Sequence, residues 1–449
     1  MCAVNLASVV GAVALARRRG GTALMVATAV ALVVMSGSLV GRTYSDIWNP
    51  AAGLLPFTLL VFLTWSIACG EYRLLPVTVL VASFVVQCHL TYGPPALGLL
   101  VVAAAGLLST PGLDRRALRR WALIALGVGV ICWIAPLVDQ AIHRPGNLVE
   151  VGKAAFSSHP TLGSRLGWHA LVRGVGVPPW WLRIAHGPND RLLDVIRPLS
   201  VLGSASCVLI LAGLVAIAGA AWRARRRDVV AAAASALVLC LTLALVAAST
   251  PRTGLLPFTL GYTLWWGSPA GMFVWLVLGW AVATLVPAIR VRLAALPVPW
   301  RAAVAGLGVA LAVVTLVRAG AGQDVTKSRY GSVKRLAARV REQLPSGRTV
   351  LVEAGSTSGF DPLFDFETGL LYDLRRHGTR VVTDTLGTSL GKYYDAKRHP
   401  FQVVLHLVHP GVGSPVRGTL VGRVALRGPP SSPTDVIIAT LEPAPGGGA

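Results

Sequence analysis

The chain has 449 residues, of which 54% are hydrophobic and only 13% charged, and its formal net charge is +22 at pH 7. Apolar side chains in that proportion exceed what one water-soluble core buries, which excludes an ordinary soluble protein and makes lipid the solvent for most of the chain. The positive charge does not indicate a nucleic-acid partner, because the arginines upstream of residue 320 sit in short blocks between apolar runs and not on a soluble basic patch.

A spanning helix needs roughly 20 mostly apolar residues, and about ten candidates follow one another along the chain. They lie near 2–16, 21–40, 53–70, 74–91, 95–109, 121–137, 199–221, 229–248, 267–288 and 302–318. Arginine blocks separate them at Arg17–Arg19, Arg115–Arg120, Arg223–Arg227 and Arg290–Arg301. Each block falls in every second connection, and the positive-inside rule assigns those connections to the cytoplasm. The alternate connections are then exported: 41–52, the Thr91–Pro95 turn, 138–198, 249–266, and everything after about 319. Met1 starts outside and the first helix runs inward.

Within the exported segment 138–198, Asn147–Phe156 is amphipathic and suits the membrane surface. Trp180 and Trp181, after Pro178 and Pro179, read as an interfacial aromatic anchor. His143, His159, His169 and His186 lie in the same segment without metal-ligand spacing. The six cysteines (Cys2, Cys69, Cys88, Cys132, Cys207 and Cys240) fall in or at the ends of apolar runs and form no C-x-x-C pair, so they read as small buried hydrophobes. No cofactor is evident, and nothing in the chain supports a divalent metal, although the chemistry considered below would accommodate one.

Beyond residue 320 the pattern changes. Tyr330–Leu344 has helical apolar spacing with basic residues opposite, RTVLVEA at 348–354 reads as a buried strand, and 363–377 reads as a helix with Gly378 as its C-cap. A second strand begins at Thr379, and others are expected near 401–408, 418–426 and 434–441. The expected architecture is a polytopic α-helical membrane domain over 1–319, a small extracytoplasmic α/β domain over 320–442, and a disordered tail over 443–449.

Ionisable groups are nearly absent from the spans and no inverted repeat is detectable, which argues against a transporter. Polar residues gather instead at the exported ends of the early helices. GRTYSDIWNPAAGLLPF at 41–57 places Arg42, Tyr44, Asp46, Trp48 and Asn49 there, and Gln87, His89 and Tyr92 reach the same side. An arginine, an acid, a histidine and an amide at one water–lipid boundary suit a phosphate-bearing lipid head group, with Arg42 on phosphate and Asp46 on a sugar hydroxyl or metal. The same Asp46 and Asn49 also read as turn and cap residues, and Tyr44 and Trp48 as interfacial aromatics.

The runs SDIWNPAAGLLPF, SFVVQCHLTYGPP at 83–95 and PLVDQAIHRPGNL at 136–148 together resemble actinobacterial membrane proteins of the GT-C glycosyltransferase superfamily, over about residues 25–320. The resemblance implies transfer of a sugar from a polyprenyl-phosphate donor to an envelope glycan, lipid or protein acceptor. It implies an exported carboxylate as general base and a cation, such as Arg42, on the leaving phosphate. That family usually carries its catalytic aspartate in the first exported loop after an outward-running helix. Here the first helix runs inward, so the pattern expects an outward helix and an acidic loop upstream of Met1, and Asp46 belongs to a later loop. A non-catalytic protein that binds lipid-linked glycan or an envelope partner through 138–198 and the C-terminal domain is the alternative.

Overall fold

The computed structural model describes residues 1–39, 49–156, 160–183, 194–252, 256–286, 324–344, 347–354, 362–384, 393–408, 417–425 and 436–444, with isolated positions between 306 and 317. It divides into two compact units, Met1–Ala321 and Gly322–Ala449.

The first unit is helical: α1 (Cys2–Ser36), α2 (Asn49–Ala52), α3 (Leu54–Ala68), α4 (Leu75–Cys88), α5 (Gly93–Leu108), α6 (Arg115–Ile142), α7 (Asn147–Phe156), α8 (Gly163–Val175), α9 (Val201–Arg223), α10 (Arg227–Ser249), α11 (Leu256–Thr263) and α12 (Gly267–Leu285). Among the described residues, seven helical segments are long and apolar enough to cross a membrane, and Tyr72–Cys88 is a shorter apolar one. Nine of the ten expected candidates fall on these segments. The first two candidates join in α1, the fourth falls short of the spanning length, and 302–318 lies largely outside the described residues. The joint in α1 is at Gly20 and Gly21, and Gly21 takes φ +65°, ψ −161°, a conformation open to glycine and closed to residues with a Cβ.

Local chemistry explains where helices begin. Asp114 Oδ1 accepts from the backbone N–H groups of Arg116 (2.9 Å) and Ala117 (3.0 Å) and caps α6. Ser200 does the same for α9 through Gly203 N–H at 3.0 Å, and prolines occupy the first turns of α4 and α5. Hydroxyls buried in apolar helices return their protons to the preceding turn, as Thr64 Oγ1 does to Leu60 O at 2.8 Å.

Two ends of the bundle are chemically distinct. At one, Arg18 Nη1 lies 3.4 Å from Glu71 Oε2 and Arg19 pairs with the same carboxylate. Trp65 Nε1–H donates to Asp228 O at 2.9 Å, and Arg227 donates to Ser109 O. The arginine-bearing turns after 16, 108 and 223 therefore meet around Glu71 and Asp228, as their alternation along the sequence requires. At the opposite end, Tyr92 Oη donates to Pro50 O at 2.7 Å and Ser38 Oγ lies 2.9 Å from Ser268 Oγ.

The second unit contains α13 (Asp324–Gln343), β1 (Thr349–Ala354), α14 (Pro362–Arg376), β2 (Arg380–Val382), β3 (Val403–Val408), β4 (Thr419–Ala425) and β5 (Val436–Pro443). Its five-stranded sheet has the order β2-β1-β3-β5-β4. Strands β2, β1 and β3 are parallel, whereas β5 is antiparallel to both β3 and β4. Helices and strands fall where periodicity placed them, and Gly378 closes α14 at φ +86°. The last strand runs past the expected boundary: Ala444 is buried and its N–H donates to Gln402 O at 2.9 Å.

One sheet face packs Val350, Val352, Leu405 and Ala439 against Leu336 and Val340 of α13 and Phe366, Leu370 and Leu374 of α14. The other carries a smaller cluster of Leu351, Val382 and Val404. On that second face His406 Nδ1 lies 2.6 Å from Glu353 Oε2 and its Nε2 lies 3.2 Å from Glu442 Oε2. Glu367 of α14 is buried, and burial pushes its carboxyl above the ordinary value; Asp384 adds to this, and the hydrogen bond from Thr383 Oγ1 at 2.8 Å opposes it. A raised carboxyl favours the neutral form in the folded state. Its stabilising effect is complete below the unfolded value of about 4.3 and is lost as pH rises through the folded value. Glu367→Gln is therefore expected to flatten the loss of protection as pH rises above about 4.3, as read by hydrogen exchange of β1 and β2 amides in the intact protein after correction for intrinsic rates.

Candidate functional site

Of the residues proposed from the sequence, Arg42, Tyr44, Asp46 and Trp48 lie outside the described residues. The others are described, and they do not form one cluster. Asn49 begins α2 and is exposed. Gln87, on α4, turns toward α6 and donates through Nε2 to Cys132 O at 3.0 Å. His89 ends α4; its Nδ1 lies 2.8 Å from Thr91 Oγ1, and its ring meets the edge of Tyr262 with centroids 5.6 Å apart. Tyr92 is only 2% exposed, stacks obliquely on Phe57 and gives its hydroxyl proton to Pro50 O. Tyr92 thus builds a wall and offers no free donor. The arrangement joins the 49–57 segment to the end of α4.

A denser polar cluster, not anticipated from the sequence, lies within the segment 163–200. The 3-10 turn Trp180–Leu182 buries Trp180 completely, so this residue is a core side chain and not the interfacial anchor expected from its neighbours. Its Nε1–H donates to Asp194 Oδ2 at 3.0 Å, and Arg183 Nη1 donates to Asp194 Oδ1 at 3.1 Å. Arg173 bonds the main-chain oxygens of Asp194 (3.2 Å) and Pro198 (2.8 Å). Buried His169 places Nδ1 2.9 Å from Val195 O, which requires the proton on that nitrogen because a carbonyl only accepts.

Helix α8 supports the cluster, and it was missed because it reads as loop. Its signal is a row of small residues at helical spacing, Gly163, Gly167, Ala170 and Gly174. A Cβ at Gly167 would meet Ala244 O of α10 at 2.6 Å, and one on Gly271 of α12 would collide with Gly174 O. Close approach of backbones seats α8 between α10 and α12, and the amphipathic α7 forms as expected.

Chemically, each carboxylate in the described part of 138–198 is engaged. Asp194 serves Trp180 and Arg183, Glu150 pairs with Lys153 at 2.8 Å, and Asp139 binds His143 at 3.0 Å and Asn147 N–H at 2.8 Å. Among the described residues, no group of three or more His, Cys, Asp or Glu side chains is arranged to hold a metal ion. Compared with known proteins, the chain matches no family model, no curated protein and no solved structure.

Proposed function

We propose that the chain is a multi-pass plasma-membrane protein that binds a polyprenyl-phosphate-linked sugar at the end of its helical unit bearing Asn49 and His89, and transfers that sugar to an envelope acceptor in the manner of a GT-C-like glycosyltransferase. The arginine-bearing end is the cytoplasmic one in this reading, by the positive-inside rule, so the opposite end and the C-terminal α/β unit face outward. The observation that carries the proposal is the 2.7 Å hydrogen bond from Tyr92 to Pro50. It brings into contact two of the three polar junctions on which the resemblance rests. Arg42 is assigned to the lipid phosphate and Asp46, in place of the earlier-loop aspartate that the resemblance expects, to the acceptor hydroxyl: the carboxylate takes the hydroxyl proton, the oxygen attacks the anomeric carbon, and the lipid phosphate leaves with the bonding pair.

A second reading, binding of the lipid-linked glycan without turnover, is favoured by the engaged state of Asp139, Glu150 and Asp194. One experiment separates the two. Purified protein in nanodiscs is given a polyprenyl-phosphate sugar and a glycan acceptor, and binding and turnover are measured together. Arg42→Ala is expected to weaken binding, whereas Asp46→Asn is expected to leave binding intact and lower turnover by about 10²–10⁴-fold, the contribution of a general base. Binding without turnover selects the second reading, and no binding of the polyprenyl phosphate removes both.

A further inference from the structure

The connection between α5 and α6 forms a hollow of about 600 Å³ at the arginine-bearing end. Leu108, Leu113, Leu118 and Ala122 supply its apolar wall, with Arg115 and Arg119 beside them. The two arginines are four residues apart on α6, hence on one face, and both are exposed. Among the described residues neither has a carboxylate partner, since the nearest acid in sequence, Asp114, directs its Oδ1 to the cap of α6.

The same face of α6 continues away from the arginines as an apolar track. Leu126 and Val130 follow Ala122 at helical spacing and are 63% and 52% exposed, and Ala125 is the only buried residue of the whole helix. A guanidinium pair above an apolar hollow, with an apolar stripe running on toward the middle of the helix, matches a ligand with one anionic phosphate and long acyl chains. The planar forks of arginine bind phosphate oxygens in pairs. A free phosphate would leave the track bare, and a zwitterionic lipid would bring its own cation to the arginines.

We infer that this hollow is a binding site for an anionic phospholipid, with its phosphate on Arg115 and Arg119 and its acyl chains along Leu118, Ala122, Leu126 and Val130. Orientation of the protein requires arginines somewhere in this connection, but it does not require two on one face above a hollow. A second groove, of about 640 Å³, bears Arg17 and Arg18 beside Val9, Val13 and Met25, but there Arg18 already lies near Glu71. Of these two hollows, the α5–α6 one has neither of its arginines paired with a carboxylate among the described residues.

The test uses the full chain, purified in detergent, with phosphatidylglycerol or phosphatidylcholine added and bound lipid counted by native mass spectrometry. Phosphatidylglycerol is expected to be retained and phosphatidylcholine not. R115Q/R119Q is expected to lower phosphatidylglycerol affinity at least about tenfold. R223Q/R225Q removes the same charge outside the hollow and is expected to keep it. R115K/R119K preserves charge and therefore orientation but loses the planar forks, and is expected to fall between. Equal retention of the two lipids, an unchanged R115Q/R119Q, or equal losses in both glutamine variants would each overturn the site in favour of general charge attraction.

Discussion

Trp180→Ala is expected to destabilise the helical unit by about 3–5 kcal/mol, the cost of deleting a large buried aromatic whose surroundings cannot collapse into the space. The indole is fully buried and lies over glycine backbone on two helices: a Cβ at Gly267 would meet its Cε3 at 2.9 Å, and one at Gly174 would meet it at 3.7 Å. Those glycines cannot fill a void, because they have no side chains to rearrange. Asp194 would also lose its 3.0 Å donor and, among the described residues, keep Arg183 as its side-chain partner. Trp180→Phe retains most of the ring and is expected to cost much less, on the order of the 1 kcal/mol of a net hydrogen bond plus a small packing defect. Thermal unfolding midpoints of the detergent-solubilised protein should therefore rank wild type above Trp180→Phe and both well above Trp180→Ala. Identical midpoints would mean that the indole is a surface anchor after all.

Leu405→Asp should act on the other unit. Leu405 is fully buried on the middle strand β3, in register with Val352 on one side and Leu441 on the other. A carboxylate there has no cation to pair with in the surrounding apolar cluster of Val352, Leu370 and Ile437, and an unpaired buried charge costs several kcal/mol. That is a large share of the roughly 5–15 kcal/mol that holds a domain folded. The expected result is new protease cleavage within 349–443 while the helical unit keeps the protection of the wild type; Leu405→Met, similar in volume, is expected to behave as wild type. Loss of protection in both units together would show that they do not fold independently.

The sequence by itself determined what period and charge can encode. RTVLVEA, with its unbroken run of β-branched and aliphatic residues, became a strand buried between two parallel neighbours. Asn147–Phe156 became an amphipathic helix, and the arginine-bearing turns after 16, 108 and 223 came together at one end of the helical unit around Glu71 and Asp228, whereas the block at 290–301 lies outside the described residues. The proposed site was legible only as a collection of polar residue types. Nothing in its spacing told that Tyr92 turns its hydroxyl inward to Pro50 or that Gln87 faces α6, because those directions depend on which helix lies alongside.

Tertiary structure alone decided which apolar surfaces are packed against protein and which are left uncovered. The spanning windows in Asn49–Ala68 and Arg115–Ile142 are both strongly apolar, yet 94% of the first is buried and 6% of the second. Hydropathy cannot separate them, since lipid tails and a helix-packed interior are equally apolar environments. What distinguishes them is shape: small residues where backbones close on one another, as at Gly106 against Ala68 and Gly174 against Gly271. The same logic buried Trp180, a residue whose amphipathic side chain suits a membrane interface until a glycine-faced helix is placed beneath it.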